Sequence, residues 1–408
     1  MTSLFEAAVE AAQPANLFVP SVLPAPPEGR TVVLGCGKAA GAMAAAFEAA
    51  WCLPLEGFVV TQHGNAVPTR AIEVAEAAHP VPDEASVAAG RRLLDLARSA
   101  GPDDLVIALI SGGASALACQ PAPGITLADK QGISRALLAS GAPITEINRV
   151  RRALSAIKGG RLAAAARAPT VTYMISDVPG DDPATIGGGP MTPSGEDGRG
   201  ALAVMARYGL SPEPRVRQAI LANPAPASLP GRHAAHMIAT PALALAAAAR
   251  RAEAQGFAAR NLGDRVEGEA RDVARAMARQ MREIEAAPDG GPKRPWVLIS
   301  GGETTVTVRG RGRGGCNGEF LLALALALDG APGVHALACD SDGIDGAGDN
   351  AGAVIGPDIL VRARALGLDP SAMLEENDSY AFFKAMDALV VTGPTHTNVN
   401  DFRAILLT

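Results

Sequence analysis

The amino-acid sequence predicts an α/β fold in two domains, each a sheet covered by helices. Three observations carry that expectation. Apolar, strand-like segments alternate with helical stretches along most of the chain, the pattern of parallel strands joined by helices. Three of those segments, Thr31 to Lys38, Leu105 to Gly113 and Trp296 to Gly302, run into glycines beside a polar side chain. At 408 residues the chain is long enough for two cores of ordinary size.

Read in order, the Thr31 strand is followed by an alanine-rich helix from Ala39 to Ala50 and a strand at Gly57–Thr61. A helix at Ser86–Ser99 precedes the strand that ends at Ser111, and a third strand runs from Val171 toward Asp177. The proline-rich stretch Asn223–Pro230 suits neither a helix nor a central strand, so it marks the domain boundary: 1–230 and 231–408. Beyond it come a strand at Met237–Ala239 and helices at Leu243–Gln255 and Gly268–Ala286. The Trp296 strand, an alternating run Thr304–Val308 and a strand at Val334–Ala338 follow. Leu321–Leu328 alternates like a strand but is read as a helix buried on all sides, with Asn317 as its cap and Glu319 in its first turn.

Composition excludes several classes. A net charge of −6 and a pI near 5.6 argue against a nucleic-acid binder. Acids in the first ten residues predict no export signal, and no apolar run reaches membrane-spanning length, so a cytoplasmic protein without a membrane partner is expected. Five widely spaced cysteines with no Cys-x-x-Cys fit reduced thiols. His233 and His236 have a helical spacing beside the proline-rich stretch and are read as incidental.

The polar residues at strand ends suggest phosphate or carboxylate handling. Glycines there let backbone N–H groups approach an anion closely. Gly35-Cys-Gly-Lys-Ala-Ala-Gly41 has a spacing one residue too long for the common dinucleotide fingerprint, and the next strand ends in Thr61-Gln62-His63 without an acid for a ribose. There is no P-loop. Lys38 can neutralise a phosphoryl group, or be a solvated lysine working against a helix dipole. Asp177 and Asp181, just past a strand, can accept a proton or bind metal, whereas Asp182 reads as turn chemistry. Asp340, Asp342, Asp345 and Asp349 crowd one strand end, which suits magnesium bridging phosphates. Arg151, Ser155 and Lys158 share a face if that segment is helical, giving an anion clamp or an outer charged face. Arg309, Arg311 and Arg313 form a cationic glycine-rich lid or a hairpin tip. The stretch Thr392–Asp401 can donate to an oxyanion or cap the final segment.

Taken in order, these segments resemble the glycerate 2-kinase family, or class II glycerate kinases with the MOFRL domain, many of which carry a provisional hydroxypyruvate reductase label. The matching stretches are Gly35–Ala39, His79–Asp83, Ile110–Ser115, Ile157–Leu162, Ser176–Asp181, Ile299–Thr304, Asp342–Gly346, Thr392–Thr395 and Thr397–Asp401. They cover nearly the whole chain. The resemblance implies a Rossmann-like N-terminal domain, a C-terminal α/β domain with the MOFRL region at about 295–405, and an active site in the interdomain cleft. It implies ATP and magnesium as cofactors and D-glycerate as substrate, phosphorylated at the 2-hydroxyl; a homodimer is compatible with it.

On that footing Lys38 meets the transferring phosphoryl group, Asp177 or Asp181 takes the hydroxyl proton, and Asp342 and Asp345 hold magnesium. Gly37, Ser111, Gly112, Gly113, Ser115, Arg151 and Lys158, with Ser300, Gly301, Gly302, Glu303, Thr395 and Asn398, seat substrate and nucleotide oxygens. The family usually reads Gly-Gly-Arg-Asn-Gln-Glu where this chain has Gly314-Gly-Cys-Asn-Gly-Glu319, so its catalytic arginine falls on Cys316. Arg313, or Arg311, is expected to replace it, or activity is altered. The alternatives are an NAD(P)H-dependent hydroxypyruvate reductase and a non-catalytic glycerate or nucleotide sensor.

Overall fold

Val, Leu and Ile fill Thr31–Cys36 (β1) and Leu105–Ile110 (β4) without polar alternation, and every residue of both strands is buried. Strands of this kind belong at the centre of a sheet with both faces covered. Between them in sequence lie Leu55–Gln62 (β2) and Ile72–Ala77 (β3); Thr170–Ile175 (β5) and His233–Ala239 (β6) follow. The six form a sheet in the order β3-β2-β1-β4-β5-β6, parallel at each pair from β3 to β5. The direction of chain progression reverses between β1 and β4. In open α/β sheets ligands bind at such a switch point, beyond the carboxyl ends of the strands.

The computed structural model describes residues 1–229, 231–286 and 293–408. Pro230, where the sequence places the domain boundary, lies outside them. Two compact units are present: Pro14–Ile238, and Met1–Gln13 together with Ala239–Thr408. The N-terminal helix Thr2–Ala11 thus belongs with the later part of the chain. Phe5 packs on Phe402 with ring centroids 5.9 Å apart, and Thr397 Oγ1 donates to the Ala12 carbonyl at 2.7 Å.

In Pro14–Ile238 the helices Ala40–Ala50 and Glu84–Ser99 cover the sheet. A satellite of four helices, Leu127–Ala139, Ile144–Ala153, Gly198–Arg207 and Pro214–Leu221, has its own apolar cluster around Leu137, Val150, Val204 and Ile220.

The other unit carries Ala258–Asn261 (β7), Gly268–Glu269 (β8), Trp296–Gly302 (β9), Thr304–Thr305 (β10), Val334–Asp340 (β11), Gly352–Ile355 (β12), Leu389–Val390 (β13) and Asp401–Leu407 (β14). Its main sheet, β13-β12-β11-β14-β9-β7, is antiparallel except at β7–β9. The alternating run at 304–308 is strand only over β10, which pairs with β8. The segment Cys316–Leu328 is a helix, as its alanine content predicts, with ten of its residues buried under the sheet. Among the described residues no helix is long and apolar enough to cross a membrane.

Candidate functional site

At the switch point of the parallel sheet, β1 and β4 end side by side, with Cys36 opposite Ile110. The chain then ties the two turns together: Lys38 N donates to the Gly112 carbonyl at 2.8 Å and Ala39 N to Ser111 Oγ at 3.0 Å. Gly37 takes φ +136°, and a Cβ there would sit 2.1 Å from Ser111 Oγ. Only glycine permits that approach. Gly113, at φ +78°, lies against the Lys38 stem and the His79 ring; a Cβ would meet them at 3.1 and 3.2 Å. Lys38 is half-buried and precedes the helix that starts at Ala40, and its carbonyl accepts Thr61 Oγ1 at 2.9 Å. The lysine, two glycine turns and an imidazole therefore share one strand-end hollow.

The loop after β5 joins the same end. Gly187 packs on Ala114, just beyond the Gly113 turn, and Gly188 on the Lys158 side chain. Asp182 bonds Ala184 N and Thr185 Oγ1, both at 3.0 Å, which is the turn chemistry its position predicts. Asp181 differs: its φ is +55°, and its buried Oδ1 has no hydrogen-bond partner among the described residues. Asp177 sits two residues past β5. Lys158 Nζ donates to the Ser115 carbonyl at 2.8 Å and to Ser115 Oγ. Burial pushes its ammonium well below the usual lysine range, and Lys130 and Arg151 push it further. The helix carrying Arg151 ends at Ala153, so Lys158 does not continue its face; a turn brings the two charges near each other instead.

In the second unit the acids of the 340s meet the N-terminus of Cys316–Leu328. Asp345 accepts Asn317 N at 3.0 Å on one oxygen and Gly318 N at 2.8 Å on the other, so Asp345, not Asn317, caps this helix. Gly315 leaves room for it: a Cβ would stand 2.2 Å from Asp345 Oδ1. Burial lifts the Asp345 carboxyl to about 6, the helix amides opposing and Asp401 adding to the rise. Asp401 accepts Asn317 Nδ2 at 2.7 Å and pairs with Arg403, which also donates to Thr304 Oγ1 at 3.0 Å. Cys316 Sγ lies 3.6 Å from Asp401 and 3.7 Å from Asp345, and burial plus those acids push its thiol far up.

As a magnesium seat this cluster fits in part. No group of three or more His, Cys, Asp or Glu side chains is placed to hold a metal among the described residues. Magnesium usually takes one or two carboxylates and fills the rest with water and phosphate oxygens. Buried Asp342 suits that role; one of its oxygens accepts Ile344 N at 2.9 Å. Asp345 would have to surrender helix amides.

The remaining sequence-predicted residues are placed unevenly. Ser300, Gly301 and Gly302 are not a turn but the end of β9, opposite Arg403, Phe402 and Asp401. Gly302 packs on the Val266 backbone, where a Cβ would come within 2.3 Å, so this segment offers no open cradle. Glu303 is exposed between β9 and β10. Thr395 N donates to the Asp342 carbonyl at 3.0 Å, and next to Asn398 the Val399 N donates to Ser341 Oγ at 2.8 Å, which sets this segment beside the 340s loop. Arg313 stacks on Tyr380, 4.3 Å from the ring centroid, and donates to the Ala347 carbonyl at 2.9 Å, on the same loop. Sequence reasoning did not single out His79, Lys130 or Arg403, which the structure sets beside Gly113, Lys158 and Asp401 respectively. His79 stood in a quoted motif, but Lys130 and Arg403 carry no local signal, since distant chain brings them in.

Comparison with known proteins shows which family the chain resembles. Residues 1–221 match the family described as Domain of unknown function (DUF4147), and residues 296–401 match the MOFRL family. A protein of Agrobacterium vitis, provisionally named hydroxypyruvate reductase, is 52% identical over 93% of this chain and 100% of its own length. The D-glycerate 2-kinase of Thermotoga maritima is 40% identical over 91% of this chain and 89% of its own. A crystal structure of glycerate kinase from Thermotoga maritima superposes with a TM-score of 0.90 at 37% identity, covering 100% of this chain and 98% of that one. With its Gly37-Lys38 and Ser111-Gly-Gly113 turns at the sheet's switch point, the chain belongs to the glycerate 2-kinase family that carries the MOFRL domain.

Proposed function

We propose that this protein is an ATP-dependent glycerate 2-kinase that phosphorylates D-glycerate at its 2-hydroxyl with the help of magnesium. The observation that carries the reading is Lys38, half-buried at the switch point of the sheet between the Gly37 and Gly113 turns. Relatives named glycerate 2-kinase and glycerate kinase support the same activity. Bound ATP supplies the phosphoryl group, and magnesium offsets charge on its oxygens. Phosphoryl transfer then asks the protein for alignment and charge compensation rather than covalent chemistry.

Each side chain has a task in that scheme. The Lys38 ammonium compensates negative charge as it spreads over the transferring group. Asp181, with a buried oxygen lacking a partner among the described residues, accepts the proton of the 2-hydroxyl, and Asp177 is the alternative. The turns at Ser111 to Gly113 orient substrate oxygens. Asp342 holds magnesium beside the Thr395–Asn398 segment, and Arg313 adds cationic charge to the same loop.

A coupled assay for ADP release with D-glycerate tests the reading, and phosphorus NMR of the product identifies the phosphorylated position. Phosphate on the 3-oxygen would overturn the regiochemistry. The name carried by the Agrobacterium vitis relative supports a second reading, hydroxypyruvate reduction. Loss of NADPH absorbance with hydroxypyruvate, and no ADP with glycerate, would establish that one instead.

A further inference from the structure

Two deeply buried lysines lie beside one another in Pro14–Ile238 with no acid between them among the described residues. Lys130 is 6% exposed and Lys158 is 3% exposed. Lys130 Nζ makes no well-formed hydrogen bond among the described residues; only the weakly polar Cys119 thiol stands against it. Neither lysine, nor the half-buried Arg151 whose charge acts on both, forms an ion pair with any described carboxylate. An uncompensated buried cation is costly, so a natural fold keeps such a group where something repays it.

The acids that could have repaid it are committed elsewhere. Asp129, next to Lys130 in sequence, is turned to Arg215, with both oxygens accepting at 2.8 Å. Its reciprocal bonds with Thr126 also fix the helix turn that carries Lys130. Glu196 takes Arg149 and Arg152, the latter through two bonds of 2.7 Å, and so leaves Arg151 out. The groups facing Lys130 are the Cys119 thiol, Arg151 and Lys158. Lys158 adds a donor, since two of its three are used on Ser115. Gly188 is pressed on its stem, where a Cβ would fall 2.9 Å from Cδ.

We propose that Lys130, Lys158 and Arg151 form a buried anion seat that takes the carboxylate of the hydroxy-acid substrate. The inference rests on the kinase reading for the identity of that acid and adds Lys130 as a specificity-determining residue. A carboxylate is favoured over a polyphosphate because the free donors are few and almost wholly enclosed. One carboxylate has two oxygens for them; a nucleotide's phosphates carry several charges and a metal, which need open room. Burial lowers both ammonium groups from the ordinary lysine value, and an arriving carboxylate would raise them back toward it.

Calorimetry on the intact protein tests this, with D-glycerate, glycerol and ATP–magnesium titrated separately in buffers of different ionisation enthalpy. Across a pH series reaching the ordinary lysine range, glycerate binding is expected to take up protons above the lowered lysine values, and glycerol, which lacks the carboxylate, to take up none. Lys130→Met should weaken glycerate roughly 10- to 100-fold, the range for a lost charged hydrogen bond, and leave ATP affinity unchanged. In the steady state the same variant should raise the glycerate KM and leave the ATP KM alone, a split that a merely structural lysine would not produce. If Lys130→Met does not fold, proton uptake by the unaltered protein decides alone. Glycerate binding without proton uptake anywhere in that pH series, or a variant that weakens ATP rather than glycerate, overturns the proposal. Carboxylate binding with these properties but no ADP release would sink the kinase reading and leave the seat standing.

Discussion

In Ala239–Thr408 the buried guanidiniums of Arg271 and Arg403 each face a carboxylate, whereas in Pro14–Ile238 the buried Lys130 and Lys158 face none among the described residues. Arg271 gives two bonds to Glu319, at 2.9 and 2.8 Å, and one to the Leu374 carbonyl; Asn377 takes the other Glu319 oxygen at 2.8 Å. Every partner comes from the same unit, so the charge is spent on holding its elements together. The lysines keep donors in reserve. The lesson is that buried charge has two meanings, distinguished by whether its partners are internal.

The sharpest way to break that contrast is Arg271→Ala. Removing one partner of a buried pair leaves Glu319 uncompensated and should cost about 3–5 kcal/mol, read as a lower urea midpoint. A variant as stable as the parent would mean the pair is not structural. Next in size, Lys38→Ala should lower kcat by roughly 10²–10³-fold, the scale of one lost electrostatic contact, with an unaltered melting temperature. Full turnover would remove Lys38 from the chemistry.

A pH series separates the lysines from the arginines. Lys130 and Lys158 have folded-state values depressed below 10.5, so between those values and 10.5 the unfolded chain binds protons that the folded one does not. Stability should therefore rise with pH through that alkaline window, by at most about 1.4 kcal/mol per pH unit for each lysine, and lose its dependence below it. Lys130→Met should flatten the slope; an unchanged slope would place the titration elsewhere. Smallest in expected effect is Cys316→Arg. The thiol sits within 4 Å of Asp345 and Asp401, and a guanidinium there would pair with both. A rise in turnover would identify the thiol as the limiting departure from the family pattern. No rise would assign the cationic role to Arg313, already docked on Tyr380 and Ala347.

The parallel sheet was legible because β1, β4 and β5 are apolar runs that end at polar turns, and a two-residue error at a boundary does not move a strand end far. The Lys38, Ser111 and Gly113 constellation was legible for the same reason: each residue is local to its own strand end. The antiparallel β14 was not, since Asp401–Leu407 shows its pairing only through β9 and β11, distant in sequence. Ser300–Gly302 misled because three residues after an apolar run look alike in a turn and in a sheet. The difference is Val266, which fills the space above Gly302. Lys130 was invisible because an exposed and a buried lysine read identically until the helices around them are placed.

The helix Thr2–Ala11 and the segments after Ala239 build one unit, while Pro14–Ile238 lies wholly between them in sequence. Synthesis runs from the amino end, so the interior unit is complete on the ribosome while its host still lacks β7 to β14. The first helix must wait, with Leu4, Phe5 and Ala8 uncovered, for the helix Pro241–Ala254 and for β14, which follow far later in the chain. Its apolar face is therefore the part of this chain most in need of shelter during translation.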